Sequence, residues 1–139
     1  ADLVYVEKIN TDKIIRYWKS NSYRAKLFEK GWMPPHPTFF VRREIYSRYG
    51  VFDLNFKIAA DVELMMRFLA RYMIKTKYLP MIAVKMRMGG TTNKNLKNII
   101  KQNLEIWAAA RKTGLHLSPL FIFYKLTDKL LQFYKRPKL

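Results

Sequence analysis

Ile58-Ala-Ala-Asp-Val-Glu-Leu-Met-Met-Arg67, IAADVELMMR, decides how the rest of the chain is read. Two small residues lead into Asp61, and apolar side chains then recur at Leu64, Met65, Phe68, Leu69, Tyr72 and Met73. That is the i, i+3, i+4 spacing of a helix with one buried face. Arg67 and Arg71 are expected on the side that meets solvent or a ligand. Asp61 stands at the mouth of this helix, where a carboxylate either caps free amides and meets the helix dipole or stands ready to accept a proton. Glu63 points elsewhere around the helix and reads as a supporting or surface group.

Working outward, the preceding segment GWMPPHPTFF, 31–40, carries Pro34, Pro35 and Pro37. Proline fixes φ near −65° and pushes the residue before it into extended conformations, so this loop is stiff and holds His36 in a defined place. It is expected to lead into a strand over Thr38 to Val41. Arg42 to Tyr49 then reads as a short helix stopped by Gly50, and 51–56 crosses to the Asp61 helix. Further upstream DLVYV, 2–6, is an apolar, β-branched strand, and 22–30 has Tyr23, Leu27 and Phe28 at near-helical spacing. The intervening 11–19 is polar with apolar insertions. Downstream, Met81 to Val84 reads as a short strand running out through Lys85 and Arg87, and Gly89-Gly90 releases the backbone into a loop. From Leu96 helix formers continue through Arg111 to a stop at Gly114, and after the break at Ser118-Pro119 an amphipathic stretch fills 120–134.

The 139 residues make one domain of ordinary size. Lys plus Arg number 27 against 10 Asp plus Glu, a formal charge of +17, so the surface attracts anions: nucleic acid, phosphorylated sugars or anionic lipid. The absence of cysteine excludes disulfides, thiolate metal sites and a cysteine nucleophile. No apolar run approaches the roughly 20 residues that cross a bilayer. The chain opens at Ala1 directly on the DLVYV strand with no initiator methionine, which reads as a fragment or processed segment.

The succession DLVYV, GWMPPHPTFFVRREIYSRYGVFD, IAADVELMMRFL and YLPMIAVKMRMGGTTN resembles the second half of a family 2 glycosyltransferase of the GT-A fold, the kind that builds bacterial surface polysaccharide or lipopolysaccharide. The resemblance spans roughly Asp2 to Gly114. It rests on several unusual segments in the right order and spacing. It implies an α/β fold: a partial, Rossmann-like mixed sheet flanked by helices over 1–93, followed by a basic amphipathic helical tail over 94–139. It also implies transfer of a sugar from a nucleotide-diphosphate donor to the hydroxyl of a saccharide or lipid-linked acceptor, with inversion. In such enzymes the Asp that opens the helix after the FD segment is the general base, and Asp61 occupies that position. A hydroxyl is a poor nucleophile, and a base of this kind is worth about 10²- to 10⁴-fold in rate. His36, Pro37 and Thr38 match the segment lining the cleft near donor sugar and acceptor. Arg87, Gly89, Gly90 and Thr91 match the loop that closes over the diphosphate, where glycine lets amides approach phosphate and arginine donates bidentate bonds. One departure is Ala60, where many members place a Glu before the base.

The resemblance also implies what stands elsewhere. The nucleotide-binding strands and the Asp-x-Asp motif that holds a divalent cation, manganese or magnesium, precede the DLVYV strand in the family. The expectation is that the full-length parent uses such a cation through ligands outside this chain, and that this segment alone is inactive. The exposed edge and apolar face of DLVYV are then expected to need the missing half or a partner chain. The tail carries ten Lys or Arg against Glu105 and Asp128, with Leu120, Phe121, Phe123, Tyr124, Leu130, Leu131, Phe133 and Tyr134 interleaved. It can lie in the headgroup region of an anionic membrane or pack on the rest of the domain. The corresponding location is cytoplasmic, peripheral on the inner face of the membrane. Two other classes remain beside this reading: a basic nucleic-acid-binding module, suggested by Tyr17-Trp18-Lys19 and Arg42-Arg43 but without a recognised motif, and a non-catalytic interaction fragment.

Overall fold

In the computed structural model, which describes residues 1–89 and 95–134, a small sheet is flanked by helices in an α/β arrangement. Its strands are β1 (Asp2–Val6), β2 (Ile14–Trp18) and β3 (Ile82–Arg87), and its helices α1 (Arg43–Tyr49), α2 (Ala60–Met66), α3 (Leu96–Thr113) and α4 (Phe121–Tyr134). The order across the sheet is β2-β1-β3, antiparallel between β1 and β2 and parallel between β1 and β3. The sheet is therefore mixed. DLVYV is its central strand, not the exposed edge expected from the sequence. Leu3, Val4 and Val6 are fully buried, and β2 and β3 form the edges.

β2 falls in the stretch read only as polar with apolar insertions. Ile14, Ile15, Tyr17 and Trp18 have the branched and aromatic side chains that suit a pleated surface, and a tight connection from Glu7 to Lys13 folds them back on β1. The helix expected over 22–30 shrinks to a single 3-10 turn, Phe28–Lys30. The strand expected over Thr38 to Val41 is absent. Its first residue closes another 3-10 turn, His36–Thr38, where the Thr38 hydroxyl bonds the carbonyls of Pro35 and Ala1 and Pro37 supplies a turn-compatible φ.

Asp2 anchors the sheet. Its buried carboxylate accepts from the hydroxyls of Tyr17 and Tyr78 and from the Ser20 amide. Burial and the bond to that carboxylate together push the Tyr78 hydroxyl up to about 12 and raise Tyr17 also.

The main core forms where α2 meets α3. Val62, Met65, Met66 and Leu69 pack with Ile106, Ala109 and Ala110, and Phe28, Leu117 and Phe121 complete the cluster. The alanines let the two helices approach closely. Trp32 packs against this core with the rings of Tyr23 and Phe28. α2 continues into a π-helical turn, Arg67–Arg71, so the apolar periodicity slips at its end, and Met73 is left exposed.

Arg67 is not offered to solvent or ligand. It is buried, pairs with Glu63 one turn earlier and donates to the carbonyls of Tyr49, Gly50 and Val51 behind α1. Glu63, expected to be supporting or superficial, is fully buried and also accepts from Lys112 at 2.8 Å. A carboxylate with no access to water requires such partners, because burying an unpaired charge is costly.

α4 lies across β2 and the Phe28 turn. Its contact with Gly31 is close: a Cβ there would sit 3.1 Å from the Lys125 amide nitrogen and 3.2 Å from the Phe121 carbonyl, and the backbone has φ +80°. Both facts call for glycine. The helix is turned so that Lys125, Lys129 and Gln132, spaced i, i+4, i+7, face inward, while Phe123, Leu126, Leu130 and Leu131 are exposed.

Candidate functional site

A cleft of about 530 Å³ opens between the sheet, the mouth of α2 and the inner side of α4. Tyr5, Arg16, Trp18 and Met86 rise into it from facing positions of the three strands, since Tyr5 lies opposite Arg16 on one side and Met86 on the other. His36 and Asp61 form another wall, and Lys125, Asp128, Lys129 and Gln132 of α4 close it.

His36 and Asp61 are brought together from segments 25 positions apart, with His36 Nδ1 3.0 Å from Asp61 Oδ2. The prolines around His36 confine its backbone, so the imidazole meets the carboxylate without much freedom to move away. Asp61 Oδ1 accepts from the Val62 amide. Both side chains keep contact with solvent, 47% for His36 and 29% for Asp61. A carboxylate with two oxygens has further acceptor capacity beyond these two bonds, so it can still take a proton from a bound hydroxyl.

Asp61 is not the helix cap. α2 begins one residue earlier, and the free amides of Ile58 and Ala59 are both satisfied by Glu105 Oε2 of α3, at 2.7 and 2.9 Å. Burial alone would raise the Glu105 carboxyl, but the amides of Ile58, Ala59 and Lys57 outweigh it and hold the group below its ordinary value. Glu105, 44 positions further on, thus holds the two amides that lead into α2, while Asp61 takes the first-turn amide of Val62 with one oxygen and faces His36 and the cleft with the other.

Of the other residues singled out in the sequence, Gly89 lies at the cleft rim with φ +114° and open space around it. Thr38 is buried and turned to a second cleft, holding Pro35 and Ala1. Pro37 shapes the turn and is not part of the cleft wall. Arg87 alternates with Met86 and Met88, which line the cleft, and so lies on the opposite, exposed side of β3. Gly90 and Thr91 lie outside the described residues. The sequence reading did not identify Arg16, Lys125 or Lys129. The signal was there as the i, i+4, i+7 spacing of Lys125, Lys129 and Gln132 along α4.

Arg16 is buried, its guanidinium 4.3 Å from the centre of the Tyr5 ring and 5.4 Å from that of Trp18, with Nε donating to Gln132 Oε1 at 2.8 Å. Burial lowers its pKa, partly offset by Tyr5 and Asp128. Lys125 donates to Asn103 Oδ1 at 3.0 Å, and burial followed by the charge of Lys129 pushes it down to about 8. Lys129 is lowered too, by burial and then by Arg16. Among the described residues no group of three or more His, Asp or Glu side chains fits a metal ion, so no divalent cation is assigned to this cleft. Comparison with known protein families, with curated proteins and with solved structures finds no match.

Proposed function

We propose that the cleft is the acceptor side of a sugar-transfer site and that Asp61 is its general base. The observation that carries this reading is the pairing of Asp61 with His36 in an open cleft. A carboxylate oriented by a neighbouring imidazole, with acceptor capacity to spare and still wet, is suited to take a proton.

In this reading the acceptor hydroxyl passes its proton to Asp61 as its oxygen bonds to the anomeric carbon of the donor. The bond from that carbon to the diphosphate breaks with its electron pair, and the nucleoside diphosphate leaves. Attack opposite the leaving group inverts the anomeric centre. His36 positions the Asp61 carboxylate through Nδ1. The donor is a nucleotide-diphosphate sugar and the acceptor a saccharide or lipid-linked saccharide, as the family 2 glycosyltransferase resemblance of the sequence implies. A partial GT-A sheet accords with the mixed three-stranded arrangement, and the divalent cation of such enzymes would be held by residues other than these.

The test is transfer of radiolabelled sugar from a panel of nucleotide-diphosphate sugars to polysaccharide and lipid-linked acceptors, by the polypeptide that carries this segment together with an Asp-x-Asp motif. Asp61→Asn should lower turnover by about 10²- to 10⁴-fold with unchanged circular dichroism. Retention of more than half the activity would remove Asp61 from the chemistry.

The outward face of α4 supports peripheral contact with an anionic membrane. Phe123, Leu126, Leu130 and Leu131 are exposed there, Leu96, Ile100 and Leu104 are exposed on α3, and the chain as a whole carries +17. No helix among the described residues is long and apolar enough to cross a membrane. The proposed location is the inner face of the cytoplasmic membrane.

A further inference from the structure

Across the cleft from Asp61, three cationic side chains converge from two elements: Arg16 from β2, and Lys125 and Lys129 from α4. On that wall they face one acid, Asp128, which accepts from Gln132 Nε2. Neither lysine has an ion-pair partner among the described residues, and the hydrogen bond of Lys125 goes to a neutral amide. This is an unusual arrangement for a helix. Lysine is a residue of the surface, and here α4 turns Lys125 and Lys129, both half-buried, inward while leaving leucine and phenylalanine in water. Reversing that helix by half a turn would relieve both costs. The packing of Phe121 in the core and the close seat of α4 on Gly31 hold it as it is.

We infer that Arg16, Lys125 and Lys129 form a binding site for an oxyanion on the acceptor, so that the substrate of this cleft is an acidic saccharide, carrying a carboxylate or a phosphoryl group. The assignment to the acceptor rests on the reading of Asp61 as general base: the group that gives up its proton to Asp61 belongs to the acceptor, and the cations line the same cleft. The shape fits as well. Tyr5 and Trp18 offer aromatic surface for the face of a sugar ring, and Arg16, lying against both, has guanidinium N–H groups available for bidentate contact with a carboxylate or phosphate. An arriving anion would also relieve the mutual repulsion of Arg16, Lys125 and Lys129.

Isothermal titration of the chain itself measures this without any need for turnover. The probes are a glucuronate-terminated disaccharide, a disaccharide phosphate and the uncharged glucose disaccharide, at fixed moderate salt. At least one acidic probe should bind ten-fold or more tightly than the neutral one, and which of the two does so identifies carboxylate or phosphoryl as the preferred group. Lys125→Met and Lys129→Gln should each lower that preference by about ten-fold, a charge-assisted contact being of that order. Lys77→Gln, on the second cleft, should leave it unchanged. Equal affinity for acidic and neutral probes, or a preference that survives both α4 substitutions, would overturn the proposal. Because the measurement is equilibrium binding, a failure here alongside Asp61-dependent transfer to a neutral acceptor would leave the general base standing. Binding of the acidic probe with no transfer would do the reverse.

Discussion

Glu63 and Arg67, one turn apart at the centre of the molecule, form an ion pair in which the carboxylate has no solvent contact and the guanidinium ties α2 to the end of α1. Lys112 joins the same carboxylate from α3 and also reaches Asp53 at 2.7 Å. Burial works against its charge, but the bonds to Asp53 and Glu63 outweigh that and raise its pKa. Three helices and the 51–56 crossing thus meet at one buried acid.

Removing that acid strands the Arg67 charge in the interior. Glu63→Ala should therefore cost about 3–5 kcal/mol, measured by urea denaturation. Lys112→Ala, whose ammonium is 40% exposed, should cost much less. Comparable losses at the two positions would show that Arg67 is satisfied by the α1 carbonyls alone.

His36→Gln tests the division of labour at the cleft. If His36 only orients Asp61, the variant should lose about ten-fold in transfer, well short of the loss in Asp61→Asn, and Asn at 36 should recover part of it. Losses as deep as those of Asp61→Asn would make the imidazole itself the proton acceptor, with Asp61 as the group that orients it.

Lys125 gives the fold a pH signature. Its pKa falls to about 8 on folding, through burial first and Lys129 second, so the folded state bears the cost of its charge below that pH. As pH rises from about 8 towards the ordinary lysine value, the folded chain releases the proton while the unfolded chain keeps it, and the cost fades. Arg16 and Lys129 face the same ammonium, while Asn103 accepts its hydrogen bond. Lys125→Met should therefore be more stable than the unaltered chain by about 1–2 kcal/mol at pH 7. The gap should narrow by pH 10, as followed by chemical denaturation across that interval.

Vesicle flotation tests the outer face of α4. Binding to vesicles with a third phosphatidylglycerol should exceed that to pure phosphatidylcholine and weaken with salt, and Leu126→Glu with Leu130→Glu should reduce it by about ten-fold or more. Both leucines are exposed, so the substitutions leave the core untouched. Undiminished flotation of the double variant would assign lipid contact to another surface.

The helices of this chain were legible because their signals are local. Gly50 and Gly114 sit just past α1 and α3, and Ser118-Pro119 precedes α4, all as the sequence indicates. What was not legible depends on distant partners. The fate of Glu63 is set by Lys112 and by Arg67, itself held by carbonyls behind α1, and the path into α2 by Glu105, none of which spacing along α2 reveals. The 38–41 stretch has strand-like composition, yet the hydroxyl of Thr38 bonds the carbonyls of Pro35 and Ala1 and the backbone closes a 3-10 turn instead. At the cleft, Asp61 and His36 were visible as residue types in unusual settings. The inward turn of Lys125 and Lys129 was hidden, because an amphipathic pattern defines two faces without saying which of them meets the protein.

Glu105 accepts both amides that begin the segment bearing Asp61, while its own helix exposes Leu96, Ile100 and Leu104 on another side. It makes no bond to His36 and meets the cleft only through the backbone of Ile58. A survey of variants scored by product alone would nonetheless rank Glu105 among the residues that perform the chemistry, since its loss lets the mouth of α2 drift. Only a readout of where the backbone at 58–61 sits would tell the scaffold from the reagent.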